Sequence, residues 1–348
     1  MPITPNLIER AVFRLNLAPA LMLDFLGAES FQALVAAHRL GVFEALDGGA
    51  LTAVQTASRI EADERGTTLL LEALEALGYV HKKKDGRYAS STTSAKWLPL
   101  LGDGIGWFGL MVERLHDLDE CVRRGGPTTD AREWLEQIPD GWREFQAGMV
   151  ALARMTADEI VAKVRLPATA RRLLDVGGGH GLYSIKFCRR YPQLSATVFD
   201  LPEAMEVARE SVAAEDMGHC VSVRAGDFWM DDLGNGYDVA LLFNIIHANL
   251  PDKNMELLGK VASALSPGGL VVILDQLAGQ VFGGTARAVA ALMSLNLFNL
   301  AGGQAYRFEE VIGWLSSAGF AKPRRIGLRK APGMSLILGT KAGSGPPA

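Results

Sequence analysis

A glycine-rich segment in the middle of the chain has the residue types and spacing of a ligand-binding turn. The run Arg172-Leu-Leu-Asp-Val-Gly-Gly-Gly-His-Gly-Leu-Tyr183 opens with apolar residues typical of a buried parallel strand and then reaches four glycines. Glycines let a chain turn sharply and approach a ligand closely, because no Cβ intervenes. A crossover helix is predicted from Leu182 to Arg190, and the next strand, Thr197-Val-Phe, leads to Asp200. An acid at the end of that strand can hold two ribose hydroxyls.

Three kinds of nucleotide site compete for this segment. A phosphate loop ends in Gly-Lys-Ser or Gly-Lys-Thr, and no such ending follows. A dinucleotide fingerprint needs a third glycine after Gly177 and Gly179, but Leu182 stands there. The remaining pattern, Asp175-Val-Gly-Gly-Gly-His-Gly, resembles the first motif of the S-adenosylmethionine-dependent methyltransferases. That cofactor has no pyrophosphate, so the turn need only pass close to its amino-acid and sulfonium end.

The amino-acid composition limits the classes of protein to which the chain can belong. The chain has 348 residues, of which 49% are hydrophobic, so it can build two domains or one large one. Charged residues make up 21% and the net charge is -4, which argues against a general nucleic-acid binder. Cys121, Cys188 and Cys220 have no CxxC spacing and no ligand partners in the sequence. We therefore expect reduced thiols, no metal site and a cytoplasmic protein.

Two further patterns concern membranes and export. Glu9, Arg10 and Arg14 interrupt the apolar residues near the N-terminus, so we expect no signal peptide. No apolar run reaches 18 residues, so we expect no transmembrane helix and no membrane partner.

The N-terminal part predicts helices at 18–46, 51–60 and 66–78, followed by a hairpin at 79–88 with Asp-Gly at its turn. Helix, helix and hairpin form a winged helix, which in a transcription factor reads DNA. The second of these helices carries Glu72 and Glu75 where phosphate contacts need cations, so we expect no nucleic-acid partner. Residues 20–46 have too few polar side chains for a free surface, which favours a homodimer interface.

The chain after Asp200 alternates strands and helices. Strands are predicted at Val221-Ser-Val-Arg, at Tyr237–Phe243 and at Leu270-Val-Val-Ile-Leu, the last after a helix closed by Ser-Pro-Gly-Gly. Two terminal strands then form a hairpin. Five βα units with a final hairpin predict an α/β fold, a Rossmann-like seven-stranded methyltransferase sheet, whereas a plain dinucleotide fold would not end in that way.

Taken together, the ordered motifs are similar to those of the plant-caffeate-type and hydroxyindole-type O-methyltransferases, a family with bacterial natural-product members. Beyond the glycine motif, the matching segments are Phe199-Asp-Leu-Pro202, Gly226-Asp-Phe228, Leu265-Ser-Pro-Gly-Gly-Leu-Val-Val-Ile and Phe145-Gln-Ala-Gly-Met149. The resemblance implies a winged-helix-like dimerisation domain at 1–96 and a helical linker that contributes to the substrate pocket at 97–166. It also implies a cofactor-binding catalytic domain at 167–342 and a disordered tail at 343–348.

The resemblance implies S-adenosylmethionine as cofactor and S-adenosylhomocysteine as its product. The cofactor contacts then fall on Asp175, Gly177, Gly179, Asp200, Leu201, Gly226, Asp227, Phe228 and Asn244. Asp175 either orders the glycine turn or reaches the methionine amine. Asp227 would accept from the adenine amino group, and Phe228 would pack on the adenine ring.

By the same resemblance His247, just after the fourth strand, is the general base, since imidazole titrates near neutral pH. Ala248 and Phe243 stand where the family has an Asp and often a cation. The family's two orienting acids map to Asp275, one carbon shorter than the usual Glu, and to Tyr306. Candidate pocket residues, for which core packing is the alternative interpretation, are Trp107, Met111, Trp142, Phe145, Met149, Met293 and Asn296.

The expected activity is methyl transfer to a hydroxyl of a small aromatic or polycyclic metabolite. Two alternatives stay open on the sequence. One is carbon or nitrogen methylation that proceeds mainly by positioning. The other is a family member that uses the cofactor site for non-methylating chemistry or only for binding.

Overall fold

A computed structural model describes residues 5–279, 283–331 and 333–343 of the protein. The chain divides into two compact units, the first ending at Leu110 and the second beginning at Met111. This division falls inside the predicted linker, whose boundaries at 97 and 166 stay a prediction. Apart from Gly343, the predicted disordered tail lies outside the described residues.

The first unit is mainly helical and carries one small hairpin. Its elements are α1 (Leu7–Arg14), α2 (Leu21–Arg39), α3 (Val42–Asp47), α4 (Ala53–Arg59), α5 (Glu64–Ala76), β1 (Val80–Lys82), β2 (Tyr88–Ser90), α6 (Thr92–Leu101) and α7 (Ile105–Arg114), whose end passes into the second unit. Thr52 begins α4 with a capping box, and Asp63 caps α5 by accepting from the Gly66 N–H. The predicted helices and hairpin are therefore present, and α1 is an addition that the sequence analysis did not foresee.

The second unit contains the remaining helices and the main sheet. Its elements are α8 (Leu118–Arg124), α9 (Ala131–Glu136), α10 (Gly141–Lys163), β3 (Arg172–Val176), α11 (Leu182–Arg190), β4 (Ser195–Asp200), α12 (Met205–Ala214), β5 (Val221–Ala225), β6 (Tyr237–Phe243), α13 (Pro251–Ala264), β7 (Leu265–Gln276), α14 (Gly284–Ala301), α15 (Phe308–Ser317), β8 (Phe320–Gly327) and β9 (Met334–Lys341). Short 3-10 turns lie at Leu115–Asp117, Pro202–Ala204 and Ile246–Ala248.

The seven strands of this sheet run in the order β5-β4-β3-β6-β7-β9-β8. Strands β3 to β7 are parallel, and β9 is antiparallel to both β7 and β8. A hydrophobic core packs on each face of the sheet, as buried parallel strands require. The predicted fold class is confirmed. From β3 the chain adds β4 and β5 on one side of the sheet and then places β6 and β7 on the other side. The crevice beyond the carboxyl ends of β3 and β6 is therefore at the point of reversal, where α/β sheets bind ligands.

Strand β7 starts earlier than the sequence analysis predicted. Leu265 already pairs with Tyr237, whereas the next pair along the ladder is Val239 with Leu270. The Ser-Pro-Gly-Gly segment is therefore an irregularity within β7 and does not precede the strand. Gly268 has φ +78°, a conformation that suits glycine, and this lets the extra residues leave the ladder while the strand continues.

Candidate functional site

The predicted cofactor and catalytic side chains meet at one edge of the main sheet. The glycine turn follows β3, Asp200 ends β4, and Asp227 comes shortly after β5. His247 follows β6, and Asp275 is the penultimate residue of β7. Because β3 to β7 are parallel, all these residues lie at the carboxyl ends of the strands.

The turn after β3 needs glycine for two reasons. Gly177, Gly179 and Gly181 have φ values of +65°, +47° and +71°, which L side chains rarely adopt. A Cβ built on Gly177 would also lie 2.3 Å from the Ile245 Cδ1 atom. Since Ile245 stands two residues before His247, the glycine turn packs directly on the segment that carries the candidate base.

Asp200 is already oriented by the backbone around it. Its Oδ2 accepts from the Gly179 N–H at 2.8 Å, and its Oδ1 accepts from the Leu201 N–H at 2.7 Å. Burial raises the pKa of Asp200 to about 6, and the two N–H donors oppose that rise. Each carboxylate oxygen accepts more than one hydrogen bond, so the pair can also receive ribose hydroxyls. These residues thus fit S-adenosylmethionine: a close-packed glycine turn beside an oriented carboxylate.

Asp175 lies beneath the turn. Its side chain is buried, with the residue 1% exposed, and its Oδ2 accepts from the Ser184 hydroxyl at 2.7 Å. A Cβ built on Gly178 would come within 2.7 Å of the Asp175 carboxyl carbon, so the turn closes over the acid. This geometry favours the interpretation that Asp175 orders the turn. Burial raises its pKa to about 7, with Ser184 opposing the rise and the Asp200 charge adding to it.

Replacing Asp175 with Asn is expected to make stability less sensitive to pH. The folded-state pKa of about 7 exceeds the ordinary value of 3.8, so this group's stabilising contribution is full below about pH 4 and is lost as pH rises through 7. When the pH rises from about 5 to about 8, the free energy of unfolding of the wild type should fall by roughly 2–3 kcal/mol more than that of Asp175→Asn. Urea unfolding at both pH values measures this. The exposed Asp252→Asn controls for net charge, and an equal difference between wild type and Asp175→Asn at both pH values would contradict the prediction.

The loop after β5 is rigidly built. Gly226 packs on the Phe199 ring, since a Cβ there would lie 2.6 Å from it. Asp227 accepts from the Trp229 N–H at 2.7 Å, and the rings of Phe228 and Trp229 stand 4.9 Å apart in an edge-on arrangement. Lys260 Nζ donates to the Phe228 carbonyl. The Asp227 carboxylate and the Phe228 ring are thus adjacent in this loop and both partly exposed, a combination that suits an adenine ring with its amino group.

His247 and Asp275 form a close pair. The His247 Nδ1 atom lies 2.6 Å from Asp275 Oδ1, and the His247 backbone N–H donates to Asp275 Oδ2 at 3.2 Å. Asp275 is buried, whereas the His247 side chain is partly exposed. Because a carboxylate accepts at Nδ1, the neutral ring carries its proton on Nδ1 and leaves Nε2 as the acceptor. Nε2 has no partner among the residues that the structure describes.

Several residues hold the turn that carries His247. Asn254 Nδ2 donates to the Ile246 carbonyl at 2.9 Å, and the Tyr306 hydroxyl donates to the Asn249 carbonyl at 2.5 Å. A Cβ built on Gly303 would lie 1.9 Å from the His247 carbonyl oxygen. Neither Asn254 nor Gly303 was among the residues predicted from the sequence. Only the adjacent glycines at 302 and 303 signalled a close approach.

The environment of Tyr306 differs from that of a residue that contacts the methyl-acceptor substrate. It is buried, and its hydroxyl is already bonded to the Asn249 backbone. Its most direct effect is therefore on the position of the His247 turn, and a catalytic role for it stays a prediction.

Asn244 adopts a left-handed conformation, with φ +58°, and its N–H donates to the Leu274 carbonyl at 2.8 Å. Phe243, where the family often has a cation, packs edge-on against Tyr183 with ring centroids 4.8 Å apart.

The candidate pocket residues are spread over three helices. Trp142, Phe145 and Met149 are half-buried on α10, at spacings that place them near one face of the helix. The rings of Trp142 and Phe145 are 6.1 Å apart, and the buried Trp142 Nε1 has no acceptor among the described residues. The others are Trp107 and Met111 on α7, of which Trp107 is 1% exposed, and Met293 and Asn296 on α14. Whether they form one pocket stays a prediction.

Two wider features of the described residues bear on function. None of their helices combines the length and the apolar character needed to cross a membrane. Within the same residues no group of three or more His, Cys, Asp or Glu side chains is arranged to hold a metal ion.

Comparison with known proteins gives matches along most of the chain. The family model of the O-methyltransferase domain matches residues 131–321, and that of the O-methyltransferase dimerisation domain matches residues 25–99. One relative, the 3-hydroxy-5-methyl-1-naphthoate 3-O-methyltransferase of Streptomyces sahachiroi, is 34% identical over 341 residues, covering 93% of this chain and 96% of the relative. Another, the L-tyrosine C(3)-methyltransferase of Streptomyces lavendulae, is 27% identical over 336 residues and covers 90% of each chain.

A solved structure shows the same fold. The S-adenosylmethionine-dependent methyltransferase SibL, in its apo form, is 27% identical to this chain and superimposes with a TM-score of 0.66. The match covers 93% of this chain and 99% of the other. Similarity therefore extends through both units of the chain.

Proposed function

The chain belongs to the O-methyltransferase family, and we propose that it methylates a hydroxyl group of a small aromatic molecule with His247 as the general base. The protein is an S-adenosylmethionine-dependent methyltransferase by that membership. The proposal adds the roles of individual residues and the class of acceptor. The observation that carries it is the His247–Asp275 pair at the carboxyl end of β6, beside the glycine turn.

Bound S-adenosylmethionine supplies an electrophilic methyl group on a sulfonium. The chain's own residues would bind and orient it: Gly177 and Gly179 would allow close approach of the amino-acid end, and Asp200 would accept from the ribose. Asp227 and Phe228 would flank the adenine. Much of the rate of such a displacement comes from holding the two reactants in line, which these rigid turns provide.

His247 acts on the acceptor. Its Nε2 takes the proton of the hydroxyl as that oxygen attacks, and Asp275 stabilises the imidazolium that results. The shorter acid is sufficient here, because Asp275 reaches Nδ1 at 2.6 Å and also holds the backbone N–H of His247. The family's second acid is not needed for this contact. Tyr306 and Gly303 also contact the backbone of this turn and help to hold it in place.

An aromatic acceptor is supported by two observations. The relative from Streptomyces sahachiroi is named for a hydroxynaphthoate, and α10 presents Trp142, Phe145 and Met149 on one face. A second candidate function is methylation of an aromatic carbon. It is favoured by the relative named for C(3) methylation of tyrosine, where positioning would carry more of the rate.

The test is incubation with methyl-labelled S-adenosylmethionine and a panel of hydroxynaphthoates, hydroxybenzoates and tyrosine, with products analysed by mass spectrometry. A labelled methyl ether supports the proposal, and a label fixed to ring carbon supports the second candidate. Calorimetry with S-adenosylhomocysteine runs alongside. Binding without transfer to any acceptor would contradict the proposed activity, and binding of NAD in place of S-adenosylhomocysteine would contradict the cofactor as well.

We also propose that the protein is a homodimer formed through its N-terminal domain. In the single chain the first helices expose apolar side chains, among them Leu21 at 70% and Phe25 at 54%. Exposed apolar surface of this kind marks an interface, and obligate interfaces bury roughly 2,000 Å² or more. Light scattering should give twice the chain mass at micromolar concentration, and Phe25→Glu should shift it toward the monomer. A monomeric wild type would refute this.

A further inference from the structure

Gln146 is a buried polar residue that the proposed mechanism leaves without a role. It lies on α10, is 2% exposed, and its Oε1 has no hydrogen-bond donor among the described residues. A buried carbonyl oxygen without a donor costs stability, and native proteins keep very few. A leucine or methionine would fill the same space without that cost. The unpaired oxygen therefore indicates a donor that arrives with a ligand.

The amide of Gln146 is directed at the glycine turn. A Cβ built on Gly179 would lie 2.7 Å from Gln146 Oε1 and 3.0 Å from Nε2. Only the missing side chain at position 179 leaves room for the amide there. The same Gly179 donates its N–H to Asp200, so the amide and the ribose-binding acid flank one residue of the turn.

We propose that Gln146 binds the amino-acid end of S-adenosylmethionine, with Oε1 accepting a hydrogen bond from the α-ammonium group. The inference rests on the cofactor site of the proposed function and assigns a further residue to it. An ammonium carries three donors and no acceptor, so it matches an oxygen that lacks a donor. The carboxylates of Asp175 and Asp200 stand at the same turn and favour a cation in this position.

The experiment compares two ligands that differ only at the amino-acid end. S-adenosylhomocysteine has that end, whereas 5′-methylthioadenosine keeps the adenosine and the thioether without it. Calorimetry is expected to show that Gln146→Met, close in length but without the acceptor, weakens S-adenosylhomocysteine binding about 10- to 100-fold. Binding of 5′-methylthioadenosine should be unchanged. Asp200→Ala, which removes the ribose acceptor, should weaken both ligands and serves as the matched control.

A second arm does not depend on the folding of the variant. Wild-type protein is titrated with an S-adenosylhomocysteine analogue whose amino group is replaced by hydrogen, and its affinity for this analogue should be lower by at least the factor that Gln146→Met loses with the intact ligand. A cycle that combines Gln146→Met with the analogue isolates the free energy of the contact between Gln146 and the ammonium group. The proposal would be overturned if Gln146→Met lost affinity equally for S-adenosylhomocysteine and 5′-methylthioadenosine, or lost none. Full affinity of the wild type for the analogue would also overturn it. A wild type that binds neither nucleoside refutes the cofactor site itself.

Discussion

His247→Ala is expected to lower turnover by about 10²- to 10⁴-fold while leaving S-adenosylhomocysteine affinity nearly intact. The variant removes the Nε2 acceptor that faces away from Asp275, and it leaves Asp200 and the glycine turn untouched. Single-turnover rates on the true acceptor, with calorimetry on the same samples, measure the two effects separately.

The dependence of turnover on pH distinguishes a base from a structural residue. As pH rises the acceptor hydroxyl ionises by itself, so the loss in His247→Ala should shrink. Asp275→Asn should also lower turnover, since an amide cannot stabilise an imidazolium and has one acceptor oxygen for the two His247 N–H groups that the carboxylate serves. Turnover of His247→Ala that equals the wild type across about pH 6 to 9 would remove the assignment. A large loss in Tyr306→Phe instead would transfer the role to that hydroxyl.

Gly303→Ala is expected to lower turnover about 10²-fold without any change in a chemical group at the site. Its Cβ would lie 1.9 Å from the His247 carbonyl oxygen and 2.8 Å from the Ala248 carbonyl carbon. Both atoms belong to the backbone, so the whole turn must move, and a displacement of about 1 Å at a reacting group costs roughly that factor. Overpacking of this kind also lowers the free energy of unfolding by about 1–3 kcal/mol.

The matched control is Gly313→Ala on α15. Nothing lies within 4 Å of a Cβ at that position. Glycine is unfavourable inside a helix, so the control should be neutral or about 0.5–1 kcal/mol more stable. Turnover and urea unfolding of the two variants are measured together. Wild-type turnover in Gly303→Ala would show that the turn does not position His247.

The elements of the main sheet follow from the sequence because each depends on neighbours along the chain. Alternating apolar runs and helical periods predicted β3 to β6 and α11 close to where they lie, and they predicted the helix α13 before Ser-Pro-Gly-Gly. The glycine turn was recognisable for the same reason, since positive φ values and close packing are properties of the residues at 177, 179 and 181 themselves. The order of those motifs was sufficient to predict the cofactor family, which the family models confirm.

The contacts that decide the chemistry could not be predicted, because they join residues far apart in the chain. Asp275 stands 28 positions after His247, and whether a side chain one carbon short reaches the imidazole depends on the stagger of β6 and β7. The Tyr306 hydroxyl bonds to a backbone 57 positions away instead of facing an acceptor. Gln146 meets Gly179 only because α10 packs beside the start of α11. Local patterns determine which element forms, whereas distances between elements arise only when the core is packed.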